Sequence, residues 1–155
     1  MFRGLIFIFL LGLIACDNTR VFENNHDFEN GEWSQTDTVA FEFTVPDTVS
    51  NYNVLLNVRN TIDFNTARFF VQYRLADSIK TFRNRLVEEN LFDRITGKPF
   101  GDSGLGNIYA HQFLLEPGIK LSASGKYKVR LNHMMRYDAL PEIRSVGIRV
   151  ERTAK

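Results

Sequence analysis

The run Gly101-Asp102-Ser103-Gly104 repeats the residues around the nucleophile of trypsin-like serine proteases, where the serine needs a histidine base oriented by an acid. The chain has three histidines, His26, His111 and His133, and none stands in the alanine-histidine-cysteine setting which that chemistry uses. They are also too far apart in sequence for a zinc-binding helix motif, and a single cysteine cannot build a structural zinc centre. Glycoside hydrolysis needs two opposed carboxylates, whereas the neighbours Glu88 and Glu89 point to opposite faces of a strand. The glycine-rich stretch Gly101–Tyr109 lacks the order of a dinucleotide fingerprint and no βαβ pattern surrounds it. No catalytic residue, metal or cofactor is expected.

The remaining reactive group is the thiol of Cys16. It follows one cation, Arg3, an apolar stretch from Leu5 to Ile14 and the small residue Ala15, which is the layout of a secretory signal peptide. From Phe2 to Ala15 the segment is shorter than the roughly 20 apolar residues that span a bilayer. Leu13-Ile14-Ala15-Cys16 resembles the lipobox of bacterial lipoproteins, and that resemblance implies cleavage before Cys16, diacylglycerylation of its thiol and acylation of the new amino terminus. Two or three acyl chains anchor stably where one does not. The expected organisation is a signal peptide over residues 1–15, a lipidated anchor and tether over 16–27, and one domain over 28–155.

Removing the signal takes Arg3, one of 19 basic residues, and none of the 18 acidic ones, so the formal charge falls from +1 to near zero. That balance excludes nucleic acid as a partner. With no second cysteine there is no disulfide, and packing must stabilise the domain. Asp17–Asp27 is largely polar and reads as the tether, although Val21, Phe22 and Phe28 offer an apolar foothold on the domain.

Period-two alternation dominates from Thr38 onward. Val39, Phe41, Phe43 and Val45 share one phase, as do Val54, Leu56 and Val58; Phe69, Val71, Tyr73 and Leu75; Tyr127, Val129 and Leu131; and Val146, Ile148 and Val150. Weaker strands are expected near Ser78–Leu91 and His111–Glu116. Turn chemistry separates them at Pro46-Asp47, Thr96–Pro99, Glu116-Pro117-Gly118 and Ser124-Gly125. One short helix is expected over His133–Leu140. The pattern predicts an all-β domain, an antiparallel β-sandwich of jelly-roll type.

The chain carries 14 Phe, 5 Tyr and one Trp, most of them in the apolar phase of strands and hence in the core. Trp33 precedes the first clear strand and either caps an open end of the sandwich or offers a platform for a sugar ring. The glycines of the Gly101–Tyr109 stretch suit a bulged hairpin or bend, with a partner-binding loop as the alternative.

Several segments together resemble the gliding-motility lipoproteins of the GldH type from Bacteroidetes. They are the lipobox ending at Cys16; Trp33; Phe41-Glu42-Phe43 followed by Asp47-Thr48 and Tyr52-Asn53-Val54; Asn57-Val58-Arg59-Asn60-Thr61; Gly104-Leu105-Gly106-Asn107-Ile108-Tyr109; Met135-Arg136; and Val146–Glu151. The resemblance implies a non-enzymatic component of the cell envelope needed for gliding. The expected protein is anchored through Cys16, faces the periplasm in the outer membrane, and works with other envelope proteins of the gliding apparatus as a scaffold or assembly component. The alternative is a glycan-binding module for peptidoglycan or surface polysaccharide. Arg59, Asn60, Gly104, Gly106, Asn107, Tyr109 and Arg136, with Trp33, are the expected partner or ligand surface.

Overall fold

A computed structural model describes residues 17–121 and 125–153. Cys16 and the signal segment lie outside the described residues, as does Ser124 of the expected Ser124-Gly125 turn. Eleven strands are found among the described residues: β1 (Arg20–Asp27), β2 (Glu32–Ser34), β3 (Val39–Thr44), β4 (Asn51–Thr61), β5 (Arg68–Ala76), β6 (Thr81–Asn90), β7 (Asp102–Ser103), β8 (Ile108–Lys120), β9 (Lys126–His133), β10 (Ala139–Pro141) and β11 (Ile143–Arg152). They form a five-stranded sheet, β1-β11-β4-β8-β7, a four-stranded sheet, β3-β9-β5-β6, and a ribbon, β10-β2.

The eight long strands pair as a rolled-up hairpin: first with last (β1 with β11), second with seventh (β3 with β9), third with sixth (β4 with β8), fourth with fifth (β5 with β6), all antiparallel. The roll closes through β11 against β4 and β9 against β5. This is the jelly-roll topology that the alternation predicts. The apolar phases meet between the sheets, where Val54, Leu56, Val58, Phe69, Val71, Leu75, Val146, Ile148 and Val150 have no exposed surface. Each such side chain contributes about 1.5–3 kcal/mol by leaving water.

Three expectations change. The tether of residues 16–27 is mostly strand: Arg20–Asp27 runs along β11, with the Phe22 ring tilted against Phe43 of the opposite sheet at 5.8 Å. No helix forms over His133–Leu140; β9 ends at His133, and Leu140 instead faces Trp33 in the β10-β2 ribbon. Pro117-Gly118 does not end a strand. β8 passes through it as a bulge opposite Tyr52–Val54, with Gly118 at φ +59° donating its N–H to the Asn53 side chain (2.9 Å).

The topology gives the sandwich two distinct ends. At one lie Thr19 and Arg152, the β3–β4 loop and the β5–β6 turn; Thr19 O accepts from Arg152 N–H (2.8 Å) and Asn51 O from Thr153 N–H (3.0 Å). At the other lie the β10-β2 ribbon and the loops 62–67, 91–107 and 134–138.

Candidate functional site

The second end gathers most of the residues singled out in the sequence. Gly106, at φ +73°, lets the segment after β7 turn back, and Gly104 N–H closes the turn on Ile108 O (2.8 Å). Leu105, held between the two glycines, is 95% exposed. Asn107 O accepts from Ile62 N–H (2.9 Å) and its amide reaches the Asp63 carboxylate at 3.5 Å, fixing this turn to the β4–β5 loop. Tyr109 lies opposite Asn60 in the β4-β8 ladder, and Arg59 stands exposed on the outer face beside Asn57, Asp102 and Gln112. The same β4–β5 loop reaches Arg136's neighbourhood, because Tyr137 Oη donates to Asn65 Oδ1 (3.2 Å). The Gly104–Tyr109 turn, Arg59 and Arg136 therefore share one end of the molecule.

Arg136 borders a groove of about 650 Å3 lined by Thr66, Phe70, Met134, Met135, Tyr137 and Arg68. Phe70 sits in the outward phase of β5, between Arg68 and Gln72, and the Arg68 guanidinium lies over its ring at 5.7 Å. Arg94 flanks an adjoining hollow formed with Thr66 and Phe70. Together these groups make an apolar floor framed by cations, with Ile62, Phe100 and Met134 exposed at the same end. An aromatic in the polar phase of a strand, here Phe70, is the signal in the sequence that marks this groove.

Two of the expected surface residues are not on the surface. Trp33 is fully buried, donating Nε1–H to Asp37 O (3.1 Å) and packed between Phe28 and His133, each 5.4 Å away. It closes the end of the core because the β10-β2 ribbon folds over it, and it offers no face to a sugar. Asn60 is likewise buried, its amide donating to Thr61 O (2.8 Å).

Ser103 is exposed in β7, and among the described residues no hydrogen bond joins it to a histidine. His111 and His133 are buried, and burial holds both below the ordinary imidazole pKa, with Asp102 partly opposing this at His111. No grouping of three potential metal ligands occurs among the described residues. Glu88 pairs with Arg68 on the outer face (3.0 Å).

A different charge cluster closes the side of the sandwich. Glu116, buried in β8, is met by Arg83 (2.9 Å) and Arg85 (3.3 Å) of the edge strand β6. Arg85 also donates to Leu115 O. These inward-pointing charges hold the sheets together and make the edge a poor template for another strand.

Residues 20–150, nearly the whole jelly roll, match the family described as GldH lipoprotein. The chain belongs to that family. It is 29% identical to a gliding motility lipoprotein GldH homolog of Christiangramia forsetii, over 98% of this chain and 96% of that protein. It is 24% identical to gliding motility lipoprotein GldH of Flavobacterium johnsoniae, over 96% of this chain and 94% of that one. No solved structure matches the chain. Family membership makes it a lipid-anchored envelope protein; no helix among the described residues is long and apolar enough to cross a membrane.

Proposed function

We propose that this lipoprotein serves gliding motility as a non-catalytic docking component, anchored through Cys16 on the periplasmic side of the outer membrane and engaging another envelope protein with the end of the sandwich farthest from the anchor. The observation that carries this reading is the arrangement of that end: Leu105 projects from a hydrogen-bonded turn, Ile62, Phe100 and Met134 are exposed at the same end, and the Phe70 groove opens there too, framed by Arg68 and Arg136. Apolar groups ringed by arginine are the composition of protein interfaces rather than of ordinary solvated surface. The names of the two relatives supply the gliding context.

Glycan binding is the second reading, favoured by Phe70 and Tyr137 beside two guanidinium groups in one open groove. It predicts affinity of the soluble domain for peptidoglycan or polysaccharide that falls when Tyr137 is replaced by Ala.

Complementation of a deletion strain separates the two. Wild type restores surface spreading, whereas Leu105→Asp combined with Phe100→Asp leaves spreading several-fold reduced at equal protein level, and Tyr137→Ala spreads normally. Full spreading by the Leu105/Phe100 variant would remove the docking role of this end.

A further inference from the structure

The end of the sandwich nearest the amino terminus has no spacer between it and the anchoring residue. Asp17 directly follows Cys16, so their Cα atoms are about 3.8 Å apart. The Asp17 carboxylate is ion-paired with Arg149 of β11 and accepts from the Thr19 N–H (3.1 Å) and hydroxyl (2.6 Å), while Thr19 O accepts from Arg152 N–H (2.8 Å). An acyl chain on Cys16 would therefore draw this end against the lipid headgroups.

Two loops at this end share one local design. In Asp47-Thr48-Val49-Ser50, between β3 and β4, Asp47 Oδ1 accepts from the N–H groups of Val49 (3.0 Å) and Ser50 (2.7 Å). In Asp77-Ser78-Ile79-Lys80, between β5 and β6, Asp77 Oδ1 accepts from Ile79 and Lys80, both at 2.7 Å. Each turn fixes its backbone through the aspartate and leaves a branched aliphatic at the tip with nothing packed over it: Val49 is 83% and Ile79 90% exposed. The ends of β3, β5 and β6 that lead into these turns lie on the same side of the β3-β9-β5-β6 sheet. Lys80, Lys120 and Lys126 are exposed at the same end.

We propose that this end is a bilayer-contact surface, with Val49 and Ile79 entering the headgroup region and the three lysines meeting lipid phosphates. The contact fixes the domain upright and turns the Leu105 end away from the membrane. It rests on the reading of Cys16 as the lipidated residue. A third turn of the same design, Asp93-Arg94-Ile95-Thr96, provides an internal control, because it presents Ile95 equally exposed at the opposite end.

The test uses the full lipoprotein reconstituted in vesicles of phosphatidylethanolamine and phosphatidylglycerol, with an environment-sensitive fluorophore on single cysteines introduced by Val49→Cys, Ile79→Cys, Ile95→Cys or Leu105→Cys; Cys16 is blocked by its thioether. Brominated lipids should quench labels at 49 and 79 several-fold more than labels at 95 and 105. Equal quenching at all four positions, on protein that floats with the vesicles and carries the lipid mass on Cys16, would overturn the contact surface and leave the anchor intact. An unmodified Cys16 by mass spectrometry would overturn the anchor and the contact surface together.

Discussion

Gly147 has no room for a side chain. A Cβ built there would lie 2.6 Å from the Asn24 carbonyl and would overlap Asn25 Oδ1, because the Asn25 side chain crosses β11 at this glycine to meet Asn57 of β4 (3.3 Å). A methyl group must push β1 off β11, so Gly147→Ala should lower stability by about 1–3 kcal/mol in urea unfolding. An unchanged midpoint would mean that β1 is not held as described. The two buried histidines set a pH dependence at the same scale. With folded pKa values below the unfolded value of 6.5, they bind fewer protons folded than unfolded, so stability rises with pH through this window and is lost as pH falls below about 6.5. The urea midpoint should be level from pH 8 to 7 and fall towards pH 5; a midpoint that holds or rises towards pH 5 would contradict the burial of these rings. Neither effect was legible in the sequence. Gly147 falls in the outward phase of a strand, where a glycine reads as neutral, and an isolated histidine reads as polar until Trp33 and Gly101 are found packed against His133 and His111.

Elements with a strict period of two were legible. β3, β4, β5, β9 and β11 lie where Phe41, Leu56, Tyr73, Val129 and Ile148 mark one phase, because both sheets bury only one face. β1 was not, since its register shifts between Arg20 and Phe22 and its later residues, Asn24, Asn25 and His26, carry no apolar signal at an edge. The false helix has a similar cause: His133, Tyr137 and Leu140 fall at helical spacing, yet the backbone after His133 is held by Met134 N–H donating to Phe70 O (2.9 Å) and Leu140 is drawn to Trp33. The strand assignment of β1 can be tested by truncation. A chain starting at Phe28 should lose cooperative folding or aggregate through the bared β11 edge, whereas a true tether would be dispensable. A truncated chain with the thermal midpoint of the full domain would contradict the assignment.

At the scale of the whole molecule, the jelly roll separates two ends that carry different chemistry. Its amino-terminal end holds Asp17, next to the proposed anchor, and the Asp47 and Asp77 turns; the other end holds the Asp93 turn together with Leu105, Phe100 and the Phe70 groove. The sequence offered part of the second set as motifs, through the glycines around Leu105 and through Met135-Arg136, and passed over Phe70 and Phe100. It could not show that the β4–β5 loop joins them, because Asp63 and Asn65 meet Asn107 and Tyr137 only after the chain has rolled up. The central claim is that this end docks onto another envelope protein. Its most direct test is quantitative affinity capture from mildly solubilised envelopes, comparing wild type with the Leu105→Asp and Phe100→Asp double variant, both lipidated and equally abundant. Wild type should retain an envelope protein in near-stoichiometric amount that the variant loses at least tenfold, a change of about 1.4 kcal/mol in binding. Equal capture by both proteins would contradict the account.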